Sequence, residues 1–564
     1  MLLMLLGAFV ELLTIGAVIP FLALAADPSA LDTIPRLGQA VAALGLDASD
    51  NLTRIAAISL AVLAVTSAAI RLTLTHLSQR LVFGLGHDVS TLIYKRLLRQ
   101  PYSYYVQRNT SELIAGIEKV DVVVSGVFLP LMHAVTSTVI ASFIIALLFA
   151  VDPLVATTAS FSMALIYVAV SLAWRGRLHE AGHTMATRRT GRVKLVQEGL
   201  GGIRDIVIDR SHHIFEAKFR ELDREYRGAQ ATHAFIGAAP RFVVEGAGII
   251  LLAGLAYYMS LQPGGLIAAI PVLGALALGA QRLLPLLQVA YVGWSQFAGY
   301  RHIMGDVAGL ITAPVSRTVA PTGEVVPWRR DIVLGGLLFR YGDGVAAVKN
   351  VDLLIRKGQK IGFVGRTGSG KSTLIDIIMG LLEPSEGEIR IDGDALTDAN
   401  RANWQAQIAH VPQHIYLTDS SIASNIAFGC RDEQIDMGRV RRAARSARID
   451  DFVDGLPDGY HTSVGERGIR LSGGQRQRIG IARALYKNAN VLVFDEATSA
   501  LDNETEASVM AAVAALGPDI TVLMIAHRLT TVSGCDRIVR IDDGAIVADG
   551  PFEEVVAGDM AALH

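Results

Sequence analysis

The chain is 564 residues long, enough for several folding units at roughly 100 to 200 residues each. Its hydrophobic fraction of 51%, charged fraction of 18% and mean hydropathy of +0.40 exclude both intrinsic disorder and a single soluble globule. A formal net charge of -2 carries no global bias toward nucleic acid, and two cysteines, Cys430 and Cys535, rule out a disulfide framework.

From the start of the chain, apolar runs near the ~20 residues that cross a bilayer recur about six times, at 2–25, 54–75, 128–150, 154–174, 242–260 and 266–288. The joins at 152–153 and 262–265 are tight turns, whereas 76–127 and 175–241 are long, polar and helical in pattern. The long joins carry most of the cations, from Arg80 to Lys119 and from Arg175 to Arg227, and the opposite joins carry essentially Arg36. The positive-inside rule then puts the long joins and the second half of the chain in the cytoplasm. The first run follows Met1 without a basic leader or a small-residue cleavage site, so no signal peptide is expected. Leu37, Val41 and Leu44 in the outer loop predict a short external amphipathic helix. Apolar runs cease after the Pro/Thr/Val-rich stretch 312–327. The expected domains are therefore 1–310 in the membrane, a linker at 311–330, and 331–564 outside it.

The second half opens with an apolar strand, Ile361 to Val364, running into Gly365-Arg-Thr-Gly-Ser-Gly370-Lys371-Ser372-Thr373 and an apolar helix. Glycines at these spacings let backbone N–H groups close around phosphates, while Lys371 reaches the β/γ oxygens and Ser372 can ligate Mg²⁺. Val491-Leu-Val-Phe-Asp495-Glu496 is a second apolar strand, ending in two carboxylates. Its composition suits a parallel sheet buried on both faces, with Asp495 toward Mg²⁺ and Glu496 polarising the attacking water.

Between them lies Leu471-Ser472-Gly473-Gly474-Gln475, which resembles the signature sequence of ATP-binding cassette (ABC) proteins. The rest of the half matches that family in order. Tyr341 falls at the adenine-stacking position, Gln413 at the lid glutamine, Asp502 in the D-loop and His527 at the switch histidine. The stretch 462–468 is similar to the loop that precedes the signature in exporters. The resemblance implies a site that binds ATP and Mg²⁺. Gly365, Arg366, Thr367, Gly368, Ser369, Gly370, Lys371, Ser372 and Thr373 would hold the nucleotide, with Ser372, Gln413 and Asp495 at the metal. Glu496, His527 and Gln413 would carry catalysis. Ser472, Gly473, Gly474, Gln475 and Asp502 would close on a nucleotide held by a second copy, so a homodimer is expected.

Six spans followed by one cassette resemble an exporter-type half transporter. That likeness implies an all-α membrane domain of the type IV exporter fold followed by an α/β P-loop domain, in the bacterial inner membrane. Bends at 101–112 and 202–210 would be the docking turns. Ionisable residues inside spans point to cargo, and Arg71, Arg241 and Arg282 lie toward the cytoplasmic leaflet. Two readings stay open on physics alone: a guanidinium belt for a phosphate or pyrophosphate headgroup, or arginines snorkelling to the interface. Glu245, one turn after Arg241, is a candidate partner for it, and Glu11 has no obvious one. Stretches beginning at Val10, Asn109, Ala239 and Arg282 are similar to bacterial lipid-linked oligosaccharide flippases. The favoured cargo is therefore a polyprenyl-pyrophosphate-linked glycan or a related anionic glycolipid, flipped outward. The rivals are a multidrug or lipid A-type exporter and, in another class, a non-transport ABC ATPase. His212 and His213 lack a second ligand pair at metal spacing and read as surface.

Overall fold

The computed structural model describes residues 2–26, 51–151, 153–261, 265–313, 327–342, 344–497, 503–514, 517–526 and 529–555. They form two compact units, 1–98 with 108–314 and 99–107 with 315–564.

The first unit is helical because in hydrocarbon every backbone group must be satisfied within its own segment. Its helices are α1 (Leu2–Ala26) and α2 (Asn51–Leu97), then, after a short α3 (Tyr102–Val106) that groups with the second unit, α4 (Thr110–Val123). A π-turn, Val124–Phe128, leads into α5 (Leu129–Val151), followed by α6 (Pro153–Gly201), α7 (Ile203–Ile208) and α8 (His212–Ser260). The unit ends with α9 (Gly265–Gly299) and α10 (Arg301–Thr312). All six expected spans fall on these helices. Among the described residues, Arg54–Leu97, Thr110–Phe149 and His212–Tyr258 are long and apolar enough to cross a membrane. Pro240 sits inside α8 without ending it. The expected docking bends become α3 and α7, and α7 leaves Ile203, Val207 and Ile208 exposed. The expected external helix at 37–44 and the linker residues 314–326 lie outside the described residues.

The second unit begins before residue 331. Trp328 is buried, its backbone N–H donates to Gln407 Oε1 at 2.6 Å and its indole donates to the Asp331 carbonyl at 3.0 Å. The last expected linker residues thus already belong to the folded domain. Strands β1 (Asp331–Arg340), β2 (Ala346–Arg356), β4 (Glu386–Ile391) and β5 (Asp394–Ala395) form an antiparallel sheet ordered β2-β1-β4-β5. The larger sheet comprises β3 (Lys360–Val364), β6 (Ile408–Val411), β7 (Val491–Asp495), β8 (Thr521–Ile525), β9 (Arg537–Asp542) and β10 (Ala545–Gly550), in the order β10-β9-β3-β8-β7-β6. Its pairs are parallel except for β9 with β10. Continuous apolar runs are what such a sheet requires, since both faces are covered. One face packs on a core built around Phe363, Ile377 and Trp404, the other on one built around Ile426, Ile481 and Phe494.

Candidate functional site

Strand order brings the phosphate chemistry together. β8 lies between β3 and β7, with Ile525 opposite both Phe363 and Asp495. The phosphate loop that leaves β3 and the acidic pair that ends β7 therefore flank one point at the carboxyl edge, where open α/β sheets bind ligands. The Glu496 N–H donates to the Ile525 carbonyl at 3.1 Å and the Ala526 N–H to the Phe363 carbonyl at 3.4 Å, tying the three strand ends.

The loop is shaped by backbone that only glycine adopts readily. Gly365, Gly368 and Gly370 have φ of 147°, 82° and 101°. A Cβ on Gly370 would meet the Ala347 carbonyl oxygen at 2.3 Å, so the cradle has no room for a side chain there. Helix α11 (Lys371–Ile378) starts at Gly370, and its free N–H groups and dipole favour an anion. Lys371 is buried and donates to the carbonyls of Gly365 and Arg366 at 2.8 and 2.7 Å. Burial pulls the Lys371 ammonium down, opposed by the Glu496 and Asp495 carboxylates. A cation held among carbonyls at the mouth of a glycine cradle suits a polyphosphate.

Gln413 Nε2 donates to Glu496 Oε2 at 2.6 Å, joining residues 83 positions apart. Tyr341 shares a hydrogen bond of 3.2 Å with Thr373 Oγ1, which sets its ring beside the loop. Helix α12 (Gly473–Lys487) opens with a capping box: Ser472 Oγ accepts from the Gln475 N–H at 3.2 Å and Gln475 Oε1 accepts from the Ser472 N–H at 2.8 Å. Ser472 and Gly473 are exposed, so this second anion-favouring helix start faces outward. Asp502 and His527 lie outside the described residues.

Two site neighbours escaped the sequence reading. Asp376 sits inside the apolar run of α11, where burial and then the Asp495 carboxylate push its carboxyl up to about 6. Burial raises the phenol of Tyr102 on α3, and Asp376, Tyr341 and Asp495 push it further. The signal for Asp376 was an acid on the buried face of a helix; for Tyr102 there was none within its own segment.

In the first unit the three arginines have different surroundings. Arg71 on α2 forms an ion pair with Glu11 on α1, whose side chain is buried. Glu11, expected to lack a partner, thus has one. Arg241 and Glu245 on α8 make no ion pair with each other. Both line a cavity of about 440 Å³, with Gln281 from α9, Ser160 and Ser162 from α6, and an apolar wall that includes Leu252. Arg282 is exposed and is not among the residues lining this cavity.

Comparison with known proteins agrees with this division. Residues 348–499 match the family model described as ABC transporter, and 8–262 match the one described as ABC transporter transmembrane region. An ATP-dependent lipid A-core flippase of Ralstonia nicotianae is 34% identical over 482 residues, covering 84% of this chain and 80% of that protein. A protein of the same description from Cupriavidus metallidurans is 31% identical over 484 residues, with 84% and 80% covered. Among solved structures, a bacterial Atm1-family ABC exporter with ATP bound superposes with a TM-score of 0.78 at 24% identity, covering 97% of this chain and 96% of that one. At that identity the likeness speaks for the fold.

Proposed function

Because the chain belongs to the ABC transporter family, as an exporter-type half transporter whose ATP hydrolysis is coupled to transport, we propose that two copies flip a phosphorylated saccharolipid of the lipid A-core kind. The membrane is the bacterial inner membrane, with the cassette on the cytoplasmic side. The observation that carries the cargo class is the cavity at Arg241, where a guanidinium, a carboxylate, an amide and two hydroxyls face an apolar wall. A guanidinium there can bond a phosphate bidentately while acyl chains remain against apolar surface. The curated relatives favour lipid A-core over the polyprenyl-linked glycan expected from local sequence similarity.

On the cassette side, Lys371 and the loop N–H groups bind the nucleotide's phosphates, and Tyr341 stacks on its base. Ser372, Gln413 and Asp495 are the residues that would hold Mg²⁺, which neutralises charge on the β- and γ-phosphates. Glu496 orients water, held in place by Gln413. Ser472, Gly473 and Gly474 supply the partner's half of each site, which is why one copy is insufficient.

The test is ATP-dependent loss of outer-face accessibility of labelled lipid in proteoliposomes, with lipid A-core and a polyprenyl-pyrophosphate glycan in parallel. Glu496→Gln should retain ATP binding and lose at least about a hundredfold in ATP turnover, and with it all flipping. Arg241→Ala should weaken flipping while sparing basal ATPase. Movement of the polyprenyl lipid alone would overturn the cargo assignment and leave the transporter standing.

A further inference from the structure

We propose that His179, His183 and His302 form a binding site for a first-row divalent cation with zinc-like preferences, joining α6 to α10. None of these residues belongs to the ATP site or to the Arg241 cavity.

His179 and His183 are four residues apart on α6, so they stand one turn apart on one face, at about 6 Å of rise. That spacing is the one by which a single helix offers two imidazoles to one ion. His302, near the start of α10, completes the group. Its ring centroid lies 4.7 Å from that of His179 and 5.3 Å from that of His183. An ion at roughly 2.0 to 2.1 Å from three imidazole nitrogens in tetrahedral array places neighbouring ring centres at roughly 5 Å. The two ring pairs that include His302 stand near that separation.

The polar accounting points the same way. Nε2 of His302 is buried and has no hydrogen-bond partner, whereas buried polar atoms are nearly always satisfied. The nearest acid on the same helix, Asp306, is taken up by Lys119 on α4 at 2.6 Å. Arg301 adds a positive charge rather than relief.

As the side chains stand, no three His, Cys, Asp or Glu donors among the described residues are gathered tightly enough to hold an ion. His179 and His183 are exposed, and the imidazole torsion has a broad, shallow profile. Rotation of those two rings toward His302 Nε2 would complete the set, with the exposed side leaving the fourth position to water.

The experiment uses the full chain in detergent, without an affinity tag and stripped of metal. Zn²⁺ binding is measured by calorimetry and Co²⁺ by its visible absorption. The wild type should take up one ion per chain, with a tetrahedral Co²⁺ band and a Tm raised by a few degrees. His179→Gln, His183→Gln and His302→Gln should each weaken Zn²⁺ at least tenfold and abolish the band. A His212→Gln/His213→Gln variant should bind as the wild type does. Unchanged ATP affinity and metal-free Tm in the two exposed-site variants guard against misfolding. Equal Zn²⁺ affinity in wild type and in all three single variants would overturn the proposal. So would loss of binding in the His212/His213 variant alone. Both outcomes leave the cargo assignment untouched, because nothing in this measurement depends on transport.

Discussion

Glu11 and Arg71 show how a membrane span tolerates charge. The Glu11 side chain is buried, and its Oε2 has no partner among the described residues, so Arg71 is its compensation. Removing one member of such a pair leaves an unpaired buried charge, at a cost of about 3 kcal/mol. Arg71→Ala should therefore lower the Tm in detergent, and adding Glu11→Gln should restore most of it. If the double variant still flips lipid, Arg71 serves the fold and not the cargo. Asp376 gives a pH-dependent counterpart in the cassette. Its carboxyl stands at about 6 in the folded chain against an ordinary 3.8, so its protonation favours folding. That contribution is fully present below pH ~4 and is lost as the pH rises through about 6. Asp376→Asn should be the more stable chain at pH 7.5, with the difference gone near pH 4, as measured by thermal unfolding of both chains across that range.

Helix crossings in the first unit depend on missing side chains. A Cβ on Gly182 of α6 would meet the Gly299 carbonyl oxygen of α9 at 2.0 Å, and one on Gly299 would meet His233 Nε2 of α8 at 2.1 Å. Three helices thus converge where none has room for a methyl group. The π-turn follows the same logic, since a Cβ on Gly126 would meet the Tyr300 ring at 3.0 Å. Overpacking costs roughly 1 to 3 kcal/mol. Gly182→Ala should exceed the low end of that range because its neighbour is backbone, which cannot rotate away. Gly176→Ala, six residues earlier on the same helix with nothing within 4 Å, should hold or slightly raise the Tm, since alanine favours helix over glycine, and serves as the control.

In the proposed dimer each chain carries one half of each of two catalytic sites. The phosphate loop and Glu496 would form one half of a site, and the capped start of α12 from the second copy the other. A Lys371→Ala chain spoils one half and a Ser472→Glu chain the other. Each alone should be inactive. Mixed in equal amounts, half of the dimers are hetero-pairs, each with one intact site, so about a quarter of wild-type ATPase should return. Absence of any recovery on mixing would show that the two halves do not meet across copies.

Much of this was legible in the sequence because it is local. The phosphate loop, the acidic strand end and the signature helix each announce themselves within a few residues, since backbone conformation and strand burial are set by neighbours in the chain. Six apolar runs likewise predicted the helices, because hydrocarbon allows little else. Similarity to lipid A-core flippases over most of the chain then shifted the proposed cargo from the expected polyprenyl glycan to the lipid A-core kind, a distinction that local motifs do not encode.

What the sequence by itself determined is therefore the class of machine: an ATP-hydrolysing cassette fused to a helical membrane domain. Only the tertiary structure decided who meets whom. It joined Gln413 to Glu496, set Asp376 near Asp495, paired Arg71 with Glu11, and brought His302 to His179 and His183. These partners lie between 60 and 123 positions apart in the chain. No local pattern carries that information, because strand order and helix crossing are settled by packing of the whole chain rather than by propensity along it.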